Sequence, residues 1–268
     1  MSDESYDAAL DLFRRLDPQN ISKDLATICK IVPGLAEDLL SSVDQPLGVN
    51  RCTKTNKSYL TCDYNRDGDS FRSPWSGEYE PAVADAPMPS SELRKLEILA
   101  NDSFDIYRDL YYEGGISSVY LWDLNDGSSS FAGVVLLKKK SNNGSGAWDS
   151  IHVFEFDSNK RNSATYRITS TVILDMVKES QTVGKLNLSG NLTRQLEKEL
   201  PVDEPTSHIS NIGTLIEDIE SKIRNSLQEV YFGKARDIIG ECRTISTSSE
   251  NQIDRKLQGE LVKGIDGN

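Results

Sequence analysis

The feature that most constrains the fold of this chain is a run of alternating apolar and polar residues between positions 116 and 188. Alternation with a period of two places every second side chain on the same face, which is typical of β-strands. Short turn segments such as Asn125-Asp126-Gly127 interrupt the run, so the pattern predicts an antiparallel meander. Five strands are predicted, at 116–124, 131–139, 148–157, 165–177 and 182–188.

A long one-sided helix is predicted after these strands, from about His208 to Ile239. Its apolar residues recur at spacings of three and four: Ile212, Leu215, Ile216, Ile219, Ile223, Leu227, Val230 and Tyr231. Such a helix is about 45 Å long, and its single apolar stripe should lie across the predicted sheet. Because one helix covers only one face, the other face and the strand edges need further cover. The pattern therefore favours a partner chain.

The remaining segments complete an α+β fold with an N-terminal helical stalk and a mobile amphipathic tail. Short amphipathic helices are predicted in the first 45 residues, and a helix from about Pro89 to Tyr112 follows a loop-rich stretch. We expect one structural domain plus the tail. Its predicted parts are a stalk (1–45), a loop-rich globule with a helix (46–112), the sheet (113–200), the long helix (205–240) and the tail (243–268).

The last apolar stripe of the sequence has no later segment against which to pack. It consists of Ile253, Leu257, Leu261, Val262 and Ile265, which form one face of a helix of about four turns. A polar stretch at 244–251 precedes it and is predicted to be a linker. The stripe either folds back onto the body or binds as a helix in the groove of a partner, and the polar linker favours the second alternative.

Charge and composition argue against several classes of protein. A net charge of −12 argues against a dedicated nucleic-acid binder, which would present a basic surface. No apolar run approaches the roughly 20 residues of a membrane span, and the acidic N-terminus lacks the apolar core of a secretory signal. The four cysteines lie far apart, as in a cytosolic protein with reduced thiols.

A local basic excess is found near the end of the predicted long helix. Between positions 222 and 243, five basic residues oppose three acidic ones: Lys222, Arg224, Lys234, Arg236 and Arg243 against Glu229, Asp237 and Glu241. A solvated helix face is the commoner explanation of such a pattern. The functional alternative is a docking surface for an acidic partner.

No catalytic, cofactor or metal-binding constellation is recognised in the sequence. His152 and His208 lack a second ligand or a nucleophile at a suitable spacing, and phosphate-binding and dinucleotide fingerprints are missing. We therefore predict no enzyme, no cofactor and no metal site, although an enzyme with an unrecognised site stays an alternative.

One segment is similar to the start of a calcium-binding loop. Asp63, Asn65, Asp67 and Asp69 alternate around Gly68, but the twelfth position of the loop is Pro74 and not the bidentate Glu that the ion requires. A turn rich in Asp, Asn and Gly is therefore favoured over a calcium-responsive module.

Two long segments of the sequence are distinctive: CDYNRDGDSFRSPW at 62–75 and DIYRDLYYEGGISSVYLWD at 105–123. Shorter ones lie at 9–16, 38–46, 148–152, 192–195, 211–213 and 231–234. Together these segments resemble the beta subunit family of the heterodimeric F-actin capping protein (CapZ). They span nearly the whole chain, and the similarity is weakest after Gly240.

The resemblance implies a pseudo-symmetric heterodimer with an alpha subunit. Each subunit would contribute five antiparallel strands to one shared sheet and a long helix across it. The C-terminal tails would bind the barbed end of an actin filament without calcium and block subunit addition and loss. In this sequence the tail is 243–268, and its apolar stripe would lie in a hydrophobic cleft of the terminal actin. Basic residues would add attraction to acidic actin: Lys234, Arg236, Arg243, Arg255 and Lys256.

The resemblance also implies regulators and a location. Phosphoinositides, twinfilin and proteins with a capping-protein-interaction motif would act on the heterodimer, the last of these at the stalk. The protein would lie in the cytoplasm, in cortical actin structures.

Overall fold

The computed structural model describes residues 8–9, 12, 20–36, 38–39, 43, 45–124, 130–141, 146–160, 163–180, 184–229 and 233. The chain divides into two compact units, Met1–Glu220 and Ser221–Asn268. In the second unit, the described residues are 221–229 and 233, and Lys222 and Arg224 are exposed there. The predicted division of the chain into a stalk, globule, sheet, helix and tail stays a prediction.

The helices follow the apolar spacing of the sequence. They are α1 (Ile21–Ile31), α2 (Ser91–Tyr112) and α3 (Ser207–Gln228). The hydroxyl of Ser90 accepts a hydrogen bond from the N–H of Leu93 and so caps the start of α2. Glu113 ends α2 in the left-handed conformation with φ of 49°. No helix in the described part of the chain has both the length and the apolar character needed to cross a membrane.

Five antiparallel strands form the central sheet, as the alternating pattern predicts. They are β6 (Ile116–Asp123), β7 (Phe131–Lys140), β8 (Gly146–Lys160), β9 (Ser163–Ser180) and β10 (Gly184–Pro201), in the order β10-β9-β8-β7-β6. The α+β class is confirmed. The predicted end of the last strand is wrong, because β10 continues to Pro201 and not to Leu188. Pairing with β9 imposes the extended backbone on a segment whose own alternation is weak.

The two faces of the sheet are covered by different parts of the chain. On one face, α2 and the first part of α3 pack over apolar residues such as Val119, Val135 and Phe154. On the other face lie a two-stranded sheet, β1 (Gly48–Arg51) and β2 (Ser58–Thr61), and its flanking segments. The core on that face is formed by Leu47, Leu60, Tyr120, Val134, Leu136, Ile151 and Ile173. A buried ion pair joins Lys138 to Asp149, whose carboxylate also accepts the N–H of Leu47 at 2.9 Å.

A small three-stranded sheet and a helical cluster complete the described chain. The small sheet consists of β3 (Arg66–Asp67), β4 (Ser70–Arg72) and β5 (Tyr79–Glu80). Helix α1 matches the second of the predicted short helices, and it packs with Leu35, Leu39 and Val43 in a separate apolar cluster. Most of the first predicted helix lies outside the described residues.

Replacing Gly133 with alanine should destabilise the fold by about 1–3 kcal/mol, because a well-packed core resists added volume. A Cβ there would lie 2.5 Å from side-chain atoms of Leu121 and Phe154 and 2.9 Å from the carbonyl oxygen of Tyr120. Gly213 on α3 is the matched control, since the described residues leave 4 Å of space around a Cβ at that position. Gly213→Ala should stabilise the helix by up to about 1 kcal/mol. Urea unfolding of both variants checks this, and equal midpoints would contradict it.

Candidate protein-interaction surfaces

The tail that the sequence predicts to bind a target lies outside the described residues. This holds for its apolar stripe, Ile253, Leu257, Leu261, Val262 and Ile265, and for its basic candidates, Lys234, Arg236, Arg243, Arg255 and Lys256. The structure therefore neither brings these residues together nor separates them. The surfaces that it does describe are the edges and faces of the central sheet.

The β6 edge of the sheet is closed by side chains of α2. The amide nitrogen of Asn101 donates to the carbonyl oxygen of Val119, and the Val119 N–H donates to the Asn101 amide oxygen, both at 2.9 Å. The N–H of Leu121 donates to the carboxylate of Glu97 at 2.7 Å. These side chains satisfy the backbone groups that a sixth strand would otherwise bind.

Glu97 is fixed for this role by two arginines. Arg72 on β4 binds both of its carboxylate oxygens, at 2.7 and 2.8 Å, and Arg94 binds one of them. Burial alone would lower the pKa of Arg72, but the hydrogen bonds and the charge of Glu97 outweigh burial and raise the pKa above its ordinary value. Arg72 therefore stays charged, and its contact with Glu97 links the small sheet, α2 and β6.

The β10 edge, in contrast, is open in the part of the chain that the structure describes. β10 pairs with β9 along its whole length, from Gly184 to Pro201, and no strand in the described parts of the chain pairs with its other side. On the face covered by α3, Leu192 and Leu196 are only half-buried opposite the buried Val172 and Ile168. Arg194 is exposed between them. An open edge beside half-buried leucines is a surface on which another chain can continue the sheet.

A buried polar cluster holds α3 on the sheet. The carboxylate of Glu220 accepts hydrogen bonds from the hydroxyls of Tyr112 and Ser150, the latter at 2.8 Å, and lies 3.1 Å from Nε2 of His152. Nδ1 of His152 lies 2.7 Å from the Ser170 hydroxyl. Burial would raise the pKa of Glu220, but His152 and the two hydroxyls together lower it. The sequence shows no partner for His152, because Glu220 is 68 positions away.

His208 lies at the start of α3 in an aromatic cluster. Its ring packs against Phe131 and Phe156, and its Nδ1 lies 2.7 Å from the hydroxyl of Tyr166. Burial lowers the pKa of His208 from 6.5 to about 4, because the cluster offers no counter-charge to an imidazolium. The histidine is therefore neutral near pH 7 and acts in packing.

The segment similar to a calcium loop forms a turn whose asparagine is used internally. Asn65 is buried, and its side chain bonds to the N–H of Cys62 and to the carbonyl oxygens of Leu60 and Arg72. Its oxygen is thus directed at the backbone. Within the residues that the structure describes, His, Cys, Asp and Glu side chains form no group of three that could hold a metal ion.

These features define a class of protein: an α+β subunit whose sheet, in the described residues, is closed at one edge and unpaired at the other. Residues 6–239 match the family described as "F-actin capping protein, beta subunit". The chain is 65% identical to the F-actin-capping protein subunit beta of Yarrowia lipolytica, over 99% of this chain and 100% of the relative. It is 56% identical to that of Aspergillus oryzae, over 99% of each. The chain therefore belongs to the F-actin capping protein beta subunit family.

A solved structure shares the fold. The homodimeric actin capping protein alpha subunit from Plasmodium berghei superposes with a TM-score of 0.54 at 15% identity, over 91% of this chain and 97% of that one. At this identity the similarity concerns the fold alone.

The stability of the protein should fall as the pH drops from 6.5 towards 4, by up to about 3 kcal/mol from His208 alone. In that window the unfolded chain binds a proton at His208, whereas the folded chain, with its pKa of about 4, does not. Glu220 contributes separately, because its lowered pKa gives stability that is lost only as the pH falls below about 4.5. Urea unfolding at pH 7 and pH 5 measures the effect of His208.

His208→Gln is the control, because glutamine keeps a hydrogen-bonding side chain but does not titrate. This variant should be less stable at pH 7 and should lose less between pH 7 and pH 5. The same pH dependence in both proteins would contradict the assignment.

Proposed function

We propose that this chain is the beta subunit of a heterodimer that binds the barbed ends of actin filaments and blocks the addition and loss of subunits. The observation that carries the proposal is the match of almost the whole chain to curated beta subunits of F-actin capping protein. The action is independent of calcium and needs no cofactor or catalytic step. The described structure supports formation of the heterodimer. Binding of the filament is assigned to the C-terminal tail, 243–268.

The heterodimer is built at the open β10 edge. An alpha subunit adds its own edge strand there and turns two five-stranded sheets into one shared sheet. Main-chain hydrogen bonds along the edge supply affinity, while half-buried Leu192 and Leu196 supply apolar contact. The closed β6 edge directs the pairing to one side only.

Proline substitutions at Gln195 and Leu196 test this edge. Successive residues of a strand direct their N–H groups to opposite sides, so one of these prolines removes a donor from the β9 pairing and the other removes it from the open edge. The variant that loses the outward donor should keep most of its stability and bind the alpha subunit at least about tenfold more weakly, a loss of about 1.4 kcal/mol.

Size-exclusion chromatography with the alpha subunit and thermal unfolding separate the two effects. Asp203→Pro, in the loop after β10, is the control and should leave assembly unchanged. If both strand variants assemble as tightly as the unmodified protein, the β10 edge is not the interface.

The tail, 243–268, binds the terminal actin of the filament. In the proposed contact, the apolar stripe Ile253, Leu257, Leu261, Val262 and Ile265 lies as a helix in a hydrophobic cleft of the terminal actin. Lys234, Arg236, Arg243, Arg255 and Lys256 add attraction to the acidic filament. Such a helix occupies surface that the next actin subunit needs, and it also holds the last subunit in place. The partner subunit contributes a second tail.

Elongation from filament seeds tests the capping function. The heterodimer should stop barbed-end growth at saturating concentration, and deletion after Ile245 should weaken capping without preventing heterodimer formation.

Leu257→Asp should lower the free energy of filament binding by about 2 kcal/mol or more, or about 30-fold in affinity, because it buries a charge at an anchor position. Gln258→Asp adds the same charge beside the stripe and is the matched control. Unchanged growth with the intact heterodimer would refute the function, and loss of the heterodimer on deletion would make the tail part of the core.

We place the heterodimer in the cytoplasm, at cortical actin structures. Its regulators are proposed to be phosphoinositides, twinfilin and proteins with a capping-protein-interaction motif, the last of these acting at the stalk. The family resemblance supports these assignments.

A further inference from the structure

Helix α2 carries large apolar residues on the side that faces away from the sheet. Leu99, Ile106 and Leu110 are 47%, 63% and 73% exposed. Their spacing of seven and four places them on one line of the helix, which we call the α2 stripe. Single exposed apolar residues need no explanation, but three in a line form a patch of the kind that marks an interaction site.

The opposite side of α2 is also apolar. Leu93, Ala100 and Phe104 are buried towards the sheet. A helix with apolar residues on both sides is typical of a helix that lies between two packed bodies. Within the described residues, the central sheet covers one side of α2, whereas the α2 stripe on the other side is exposed. A second packed body is therefore expected over the α2 stripe.

Acidic side chains lie beside the α2 stripe. Asp102, Asp109 and Glu113 are exposed on the same helix or at its end. Two cations lie among these carboxylates: Arg108 binds Asp105 and Asp109, and the ammonium of Lys139 lies 3.5 Å from Glu113. Four carboxylates thus face two cations, and the border is acidic on balance. An apolar line with an acidic border fits an amphipathic helix that carries Lys or Arg beside its own apolar residues.

The α2 stripe is connected to the open edge of the sheet through α3. The hydroxyl of Tyr111 on α2 donates to the carboxylate of Glu217 on α3 at 3.0 Å. On the next position of α3, Asp218 lies 3.8 Å from the ammonium of Lys198 on β10. Thus α2, α3 and β10 follow one another across the same face of the sheet. A helix from a chain paired at β10 could cross α3 and reach α2.

We propose that an amphipathic helix of the alpha subunit, with basic residues beside its apolar face, covers the α2 stripe in the heterodimer. This inference rests on the proposed heterodimer and adds to it a second contact, distinct from the strand edge. The filament is disfavoured as the occupant, because the same function assigns it an acidic surface that the carboxylates beside the stripe would repel.

A photo-crosslinking residue placed at Leu110 tests the proposal in the purified heterodimer. It should crosslink to the alpha subunit, whereas the same residue at Met88, an exposed apolar position outside the stripe, should not. A heterodimer that forms without this crosslink overturns the proposal, and so does a crosslink that appears only with actin. Failure of the heterodimer to form is seen by chromatography before irradiation. It would overturn the proposed function and this inference with it.

Charge reversal tests the predicted basic border of the partner helix. Asp102→Lys combined with Glu113→Lys should lower the yield of the Leu110 crosslink at least threefold. Asp69→Lys, on the hairpin between β3 and β4, is the control for added positive charge and should leave the yield unchanged. An unchanged yield in the double variant would show that the occupant is not basic, and would overturn that part of the proposal.

Discussion

One buried carboxylate, that of Glu97, joins three parts of the described chain. It binds Arg72 of the small sheet and Arg94 of its own helix, and it accepts the N–H of Leu121 at the edge of the central sheet. Removing it would leave two guanidinium groups and a strand N–H without their acceptor in a low-dielectric interior, where unpaired charges are costly. The position of α2 against β6, and thus the closure of that edge, depends on this group.

Closure of the β6 edge limits the addition of further strands to the other edge of the sheet. Asn101 and Glu97 replace the backbone of a sixth strand, whereas no described strand pairs with the outer side of β10. A meander with two open edges could add chains on both sides, and one with none would stand alone. The buried contact of Glu220 with His152 holds α3 on the sheet, and α3 in turn covers part of one face.

The sequence predicts the elements of this fold better than its contacts. Periods of two and of three to four residues predict the five strands and α2, because a strand and a helix return to the same face at those spacings. The length of β10 is missed, since Leu192, Leu196 and Leu200 recur every fourth residue and only pairing with β9 makes the segment extended. The roles of Asn101, Glu97 and Glu220 are also missed. Their partners Val119, Leu121 and His152 lie 18, 24 and 68 positions away, and no local pattern marks a polar side chain that will be buried.

The backbone of an open strand edge gives no selectivity between partner chains, because every strand presents the same N–H and C=O groups. Selectivity for one subunit must come from side chains beside the edge, and the described surface offers two sources. Leu192 and Leu196 lie on one face of β10, and the exposed Thr193, Gln195 and Glu197 lie on the other, so a slip of one residue would exchange the faces and is disfavoured. The α2 stripe adds an apolar contact with an acidic border, which a chain lacking the complementary helix could not fill. Affinity from the backbone and selectivity from side chains on two elements together specify a single partner.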